Sequence, residues 1–495
     1  MAASEKATLS SVRDCSSASS LPTSVLSSHA WIGKHSPGFR IHGSQVEFLH
    51  EPADFYSNLL EQIKKAERRI VIASLYLGTG RMEQKLVDTI SETLAQRSLP
   101  LKVDILLDYT RGQRGHPNSC SLLVPLLEQY GSQVSVSLYH TPDLRGMVRR
   151  FLPERYNEVV GLQHMKIYLF DDNVMLSGAN LSDSYFTNRQ DRYVIMHKAP
   201  GLADFFTNLV SAVQSFSFQL NSDCSLQLSK GLTVHPFEGG IFYFTHTLNQ
   251  RFQSSLKSAT RSKFPLNPYS FERILRAVCP TSSDAGQDTV VFPLVQMGPF
   301  DIQTDSIVTE EFFRKVPQAS SIRLASGYFN LTSHYRQTLI NYSAADYCIL
   351  TASPQANGFY GASGVSGGVP HAYNYIAQGF LREVGDHCQQ QRVQLSEYSR
   401  PGWTFHAKGL WYTAPGQLLP SATFIGSPNF GYRSVFRDVE AQAVIATDNA
   451  DLQRRLHREQ DHLYSRSQPV ELNTLEARPI PLWVRFVTPY ISNFF

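Results

Sequence analysis

An α/β fold built from two homologous lobes is what this 495-residue sequence predicts, on three observations. Strand-like and helix-like runs alternate through both halves, as in α/β domains. A histidine and a lysine spaced as HxK occur once in each half: His164 and Lys166 in LQHMKIYLFD, and His406 and Lys408 in FHAKGLWYT, 242 residues further on. Each pair is followed by an asparagine and then an acid, Asn180 and Asp191 in one half and Asn429 and Glu440 in the other, with the acid eleven residues after the asparagine both times.

Residues 1–40 are rich in serine and lack apolar periodicity, so they are expected to form a leader outside the lobes. Lys6, Arg13 and Arg40 are diluted by Glu5 and Asp14, so a mitochondrial targeting leader and a plain disordered one fit equally. The first lobe, 41–235, opens on the strand pattern QVEFLH and a helix in which Phe55, Leu59 and Ile63 share a face. The strand RIVIASLYL then runs into the turn Gly78-Thr79-Gly80, followed by a helix around Leu86 to Leu94 and the strand KVDILLD. The second lobe, 236–495, repeats this order with VVFPLVQM, a helix near Glu310 to Lys315, SIRLASGYF and DYCILTAS. Aligning Ala73 with Ala325 places His164 91 residues on and His406 81 residues on, a difference that loops absorb. The seam falls near residues 230–245. Both HxK segments read as strands, where residues two apart share a face.

Composition limits the function classes. A hydrophobic content of 42% allows large cores, while a net charge of +3 and the lack of a long basic run give no sign of a nucleic-acid partner. Six cysteines are scattered, with no CxxC pair and no zinc-type cluster, so reduced thiols and no metal site are expected. No run of eighteen apolar residues exists, and any membrane contact is expected to be peripheral.

Two HxK…N sets suit phosphodiester chemistry. Lys166, Lys408, Asn180 and Asn429 can donate to non-bridging oxygens. One neutral histidine can attack phosphorus while the other, protonated, serves the leaving group and then the acceptor. Asp191 and Glu440 are suited to hold each imidazole by its second nitrogen. Taken singly, a histidine is usually structural, and SGAN and GSPN are ordinary turns; their repetition in register is what points to a site.

With these motifs the chain resembles the phospholipase D superfamily over residues 40–490. The wording of ASLYLGTG, LQHMKIYLFDDNVMLSGANLSDSYFTNRQDRY, FHAKGLWY and IGSPNFGYRSVFRDVEAQ is similar to the eukaryotic phosphatidylglycerophosphate synthases within it. The resemblance implies two phospholipase D-like lobes, each a mixed β-sheet flanked by helices, with one active site at the pseudo-twofold interface. It implies transfer of a phosphatidyl group from CDP-diacylglycerol to glycerol 3-phosphate with release of CMP, on the way to cardiolipin. It also implies a mitochondrial location, peripheral on the inner membrane. His164 becomes the nucleophile through a phosphohistidine and His406 the general acid and base, with Asp171 completing the first HxKxxxxD. Thr413 stands where the second motif's aspartate is expected, and Ser427 is a serine donor contributed by one lobe only. No cofactor is required; Mg or Ca enters as a stimulating cation that bridges pyrophosphate or the membrane.

Outside the motifs, residues 144–158 interleave Arg145, Arg149, Arg150 and Arg155 with apolar side chains, which suits an anionic lipid surface or a pyrophosphate; an amphipathic helix packed on its own lobe fits as well. The C-terminal aromatics Trp483, Phe486, Tyr490, Phe494 and Phe495 suit an interface or a core equally. Gly78, Thr79 and Gly80 are candidates for the nucleotide phosphates, although a plain strand-end turn fits them better. The glycine-rich 357–370 lacks the lysine of a P-loop. A phosphodiesterase, lipid hydrolase or nuclease, is the alternative to the transferase, and an inactive membrane-associated scaffold is the third reading.

Overall fold

Side chains along each strand alternate between two cores, and this alternation builds two layered lobes on a shared interior. In the strand Arg69–Ala73, Val71 and Ala73 face the core between the lobes while Ile70 and Ile72 face the first lobe's own helices. In Thr289–Met297, Val291, Val295 and Met297 join the shared core and Val290, Phe292 and Leu294 turn outward. The computed structural model describes residues 24–229, 232–261 and 286–494, with the backbone alone at 154–156, 252–261 and 494.

The first lobe is a nine-stranded sheet in the spatial order Leu226–Leu228, Phe218–Leu220, Val134–Tyr139, Lys102–Asp108, Arg69–Ala73, Ile167–Phe170, Asn173–Ser177, Tyr193–Met196, Val46–Leu49. Lys102–Asp108 lies parallel to both its neighbours, and the other pairings are antiparallel. The second lobe repeats this order in reverse listing: Thr289–Met297, Val439–Thr447, Ala422–Gly426, Lys408–Thr413, Ser321–Ser326, Asp346–Ala352, Val393–Tyr398, Ser467–Val470. There Asp346–Ala352 is the strand flanked by two parallel partners. Each lobe is therefore a mixed sheet, and the two share one topology.

Two features depart from the sequence reading. Residues 1–23 lie outside the described residues, but the expected leader ends earlier than 40. Leu26 and Ile32 are buried in the second lobe's outer core, and Phe39–Ile41 adds an edge strand to Thr289–Met297. Spaced apolar residues dock this serine-rich stretch on the lobe that is distant in sequence. Burying side chains of this size contributes about 1.5–3 kcal/mol each. The seam is also broader than a linker. The helix Ile241–Arg261 packs on the first lobe's Pro200–Gln214, and its Asn249 donates to the carbonyl of Phe300 at 2.6 Å.

A buried cation ties the lobes together. Arg192, from the first lobe, enters the second, where it pairs with Glu459 at 2.8 and 2.9 Å and lies 3.7 Å over the Trp411 ring. Its Nη1 also donates to Phe424 O at 2.8 Å. Gly409 adopts φ +111, and a Cβ there would stand 2.1 Å from Phe424 O and 2.5 Å from Arg192 Nη1, so the residue after Lys408 must be glycine. Of the cysteines, Cys120, Cys224, Cys348 and Cys388 are free thiols; Cys15 and Cys279 lie outside the described residues.

Candidate active site

Each HxK strand starts later than its sequence pattern suggests. The strands are Ile167–Phe170 and Lys408–Thr413, and both histidines precede them in segments that cross to the other lobe. His164 N–H donates to Val439 O, and Val439 N–H to Leu162 O, both at 2.8 Å. Reciprocally, His406 N–H donates to Gln190 O at 2.8 Å, and Thr404–Phe405 pairs with Arg189–Gln190. Gln163 anchors the first crossing: its Nε2 donates to Ser74 O, its Oε1 accepts from Met165 N–H, and its own N–H reaches Asp108.

The crossing exchanges the acids. His164 Nδ1 lies 3.0 Å from both oxygens of Glu440, which belongs to the second lobe. His406 Nδ1 lies 2.7 Å from Asp191 Oδ2, which belongs to the first. Each catalytic half is thus a composite of both lobes, and in each ring the carboxylate directs Nε2 away from itself. Ser427 and Ser434 donate to Glu440 Oε2 and Oε1. At the equivalent place in the first lobe Gly178 abuts Asp191, with no hydroxyl to give.

His406 is flanked edge-on by Tyr185 and Tyr328, with ring centroids 5.1 and 5.4 Å away, and its Nε2 lies 3.4 Å from the Tyr185 hydroxyl. His164 Nε2 has no such contact among the described residues. Burial, with Lys166 and Lys408 alongside, holds the His164 ring well below the usual histidine range. His406 is held low in the same way by burial, Lys408 and Arg189. Burial also raises Asp191 to about 6 and lowers Lys408 to about 8. Lys166 and Lys408 sit just behind the histidines, and each ammonium donates to its own histidine's carbonyl, at 2.8 and 2.7 Å; Lys408 Nζ also lies 2.8 and 3.1 Å from the Nδ1 and Nε2 of the His406 ring.

Both histidines open on one cavity of about 1360 Å³, which Asn180 and Asn429 also line. Their Oδ1 atoms are buried without a protein partner. The remaining wall is partly apolar, with Val148, Leu152, Phe359, Val369, Trp483 and Val484. Around the mouth stand exposed apolar side chains from three segments: Met147 and Phe151, Tyr360 and Val365, and Leu482, Phe486 and Tyr490. The helix Gly146–Phe151 buries no residue, so it is not an amphipathic helix packed on its own lobe, whereas Leu482–Ile491 is anchored by Val484 and Thr488. No helix among the described residues is long and apolar enough to cross a membrane.

Several expected site residues stand elsewhere. Asp171 lies beyond the far end of Ile167–Phe170, about 16 Å of strand from Lys166, where its carboxylate accepts from the N–H groups of Glu67, Arg68 and Arg69. It closes a turn and does not face the cavity. Ser427 is fully buried and bonds Glu440, so it positions an acid and meets no ligand. Gly78, Thr79 and Gly80 are off the cavity: Gly78 N–H donates to Leu181 O, and the Glu83 carboxylate fills the space against both glycines, which would repel a phosphate. Arg149 and Arg150 are exposed on the rim, Arg149 lying 3.9 Å over the Phe237 ring, and they do not line the cavity. The Arg155 side chain and the last aromatics, Phe494 and Phe495, lie outside what is described.

Other residues join the site unannounced. Tyr76 and Tyr328 both line the cavity, and Ser74 and Ser326 each sit 3.2 Å from the carbonyl of their tyrosine. The signal was the repeated A-S-x-Y in ASLYL and ASGYF. Tyr185, Arg189, Arg433 and Asp438 had no such marker. His164, Asp438 and Glu440 are close enough together to hold a cation, but Nδ1 and both Glu440 oxygens are already engaged, and Asp438 takes Arg433 and Leu162 N–H. The glycine-rich 357–370, which lacks P-loop chemistry, supplies Gly358 and Gly368 to the cavity wall.

A family model described as "Cardiolipin synthase, PLD-like domain" matches residues 59–212. The chain is 50% identical over 481 residues to the mitochondrial CDP-diacylglycerol–glycerol-3-phosphate 3-phosphatidyltransferase of Gallus gallus, covering 94% of this chain and 86% of that protein. It is 49% identical over 477 residues to the Homo sapiens protein of that name, with 94% and 85% covered. With the Saccharomyces cerevisiae protein the identity is 34% over 467 residues, with 89% and 86% covered. Among solved structures, phosphatidylserine synthase from Haemophilus influenzae Rd KW20 is similar with a TM-score of 0.70 at 19% identity, over 94% of this chain and 97% of that one, and shows the same two-lobed fold.

Proposed function

The chain belongs to the CDP-diacylglycerol–glycerol-3-phosphate 3-phosphatidyltransferase family, and from that premise we propose that it transfers the phosphatidyl group of CDP-diacylglycerol to glycerol 3-phosphate through a phosphohistidine on His164. The observation that carries the reading is the pair of imidazoles, one from each lobe, opening on a single cavity, each held at Nδ1 by an acid of the other lobe.

In the first half-reaction a bond forms between His164 Nε2 and the phosphatidyl phosphorus, the P–O bond to CMP breaks, and the leaving oxygen takes a proton from His406. In the second, the acceptor hydroxyl passes its proton to His406, its oxygen bonds phosphorus, and the P–N bond breaks. His164 suits the nucleophile because its Nε2 is unengaged while Nδ1–H is held by Glu440. His406, beside the Tyr185 hydroxyl, suits the proton carrier. Because burial disfavours the charged form of His406, the dianionic pyrophosphate of the donor is what favours the proton there. Lys166, Lys408, Asn180 and Asn429 are the donors to the non-bridging oxygens. This charge set does its work without a metal; a divalent cation such as Mg or Ca, if bound with the donor or at an anionic surface, would supply further positive charge.

The apolar rim suits a lipid that enters from a bilayer, and the exposed Arg149 and Arg150 suit its anionic headgroups. The protein is read as mitochondrial, as its relatives' names have it, peripheral on the inner membrane and acting on the way to cardiolipin, with lipid and no nucleic acid as its partner. The test is CMP release from CDP-diacylglycerol in mixed micelles, with and without glycerol 3-phosphate. Strict dependence on the acceptor is expected. Equal release without it identifies a hydrolase, and cleavage of oligonucleotides a nuclease; no release of any kind identifies a scaffold.

A further inference from the structure

The reaction proposed above needs a place for the acceptor's own phosphate, and neither lysine supplies it, since both stand behind the histidines on the transferred group. In-line displacement puts the acceptor hydroxyl opposite His164, at His406 Nε2. A glycerol phosphate whose hydroxyl lies there carries its phosphorus roughly 5 Å further on, three carbons and an oxygen away. At that reach stands Arg189. Its Nη1 donates to the Tyr185 hydroxyl at 3.2 Å, and that hydroxyl is 3.4 Å from His406 Nε2, so the guanidinium is two hydrogen-bond lengths from the proton carrier.

Arg189 is not neutralised. Its Nε donates to Thr404 Oγ1 at 3.1 Å and its plane lies 4.7 Å over the Tyr185 ring, but no carboxylate lies within ion-pair distance among the described residues. By contrast, Arg111 and Arg114 on the same cavity share Glu158, and Arg433 is paired with Asp438. The space in front of Arg189 is kept open by a glycine. A Cβ on Gly358 would stand 2.9 Å from the Tyr328 hydroxyl and 3.3 Å from Arg189 Nη2, and would fill the gap between them. We propose that Arg189, the Tyr328 hydroxyl and the bare backbone of Gly358 form the subsite for the acceptor's phosphomonoester dianion, so that this wall selects a phosphorylated polyol over a neutral one.

Rates of transfer to glycerol 3-phosphate and to glycerol, measured with full-length protein and CDP-diacylglycerol in mixed micelles, test this. For Arg189→Gln, kcat/KM for glycerol 3-phosphate is expected to fall roughly thirtyfold to a hundredfold more than kcat/KM for glycerol, through KM in the main. Arg189→Lys should recover part of the loss. Gly358→Val, on the loop, should reproduce it by filling the gap, and it decides the matter if Arg189→Gln does not fold. Equal losses with both acceptors, or an unchanged preference for glycerol 3-phosphate in both variants, would overturn the subsite while leaving the wild-type transferase reading intact. A wild type that transfers to neither acceptor would overturn both.

Discussion

Replacing Glu440 by glutamine isolates what the exchange of acids between lobes does. Glu440 is fully buried, meets His164 Nδ1 with both oxygens at 3.0 Å, and takes a serine hydroxyl on each oxygen. Glutamine keeps the volume but turns one of those acceptors into an NH₂, so either Ser427 or Ser434 must turn away and the ring loses an ionic partner. A charge-assisted hydrogen bond in a buried setting is worth about 1.5–3 kcal/mol, and the displaced serine adds about 1 kcal/mol. About 2.5–4 kcal/mol of transition-state stabilisation then disappears, or roughly 10²- to 10³-fold in kcat/KM. Ser427→Ala, which removes one of the two hydroxyls and keeps the charge, should cost only about tenfold. Both are read as acceptor-dependent CMP release, alongside a melting curve to confirm folding. A Glu440→Gln enzyme within threefold of wild type would refute the idea that the second lobe's acid governs the first lobe's histidine.

Asp171→Ala should leave kcat/KM within a few-fold while costing about 1–3 kcal/mol of stability in denaturant titration, because three backbone N–H groups lose their acceptor far from the cavity. Above about pH 8, kcat/KM should fall as Lys408 loses its proton: burial disfavours its charged form, so the ammonium is present below that pH and gone above it. Lys408→Arg should move the break upward if it retains activity. Phe151→Asp and Phe486→Asp together should weaken flotation with anionic vesicles at least tenfold, with little change in turnover of a short-chain, micelle-free donor, since these rings are exposed on the rim and touch no catalytic group.

The duplicated fold was legible because the order histidine, lysine, asparagine, acid repeats in register, and the strands around it carry the same period-2 pattern in both lobes. The exchange of acids was not. Asp191 and Glu440 follow their own lobe's asparagine at the same spacing, and nothing in a spacing says that the segment before each histidine crosses to pair with the other lobe. Asp171 misled because a motif records which residues recur together, not which end of a strand they occupy. Residues 24–41 were hidden by their serines: two apolar side chains and three edge-strand residues suffice to dock them once the distant partner sheet exists. Arg192 reads as a surface cation until Glu459 and the Trp411 ring are brought round it. Tyr76 and Tyr328, by contrast, were in plain view as a repeated tetrapeptide.

The most direct test of the two-histidine mechanism is to locate the covalent intermediate. Enzyme mixed with CDP-diacylglycerol labelled in the phosphatidyl phosphate, without acceptor, quenched in alkali and mapped by peptide, should carry acid-labile label on His164; the label should be absent from His164→Ala and discharged by glycerol 3-phosphate. Label on the peptide containing His406, or CMP formed in a single turnover with no labelled histidine at all, would contradict the account.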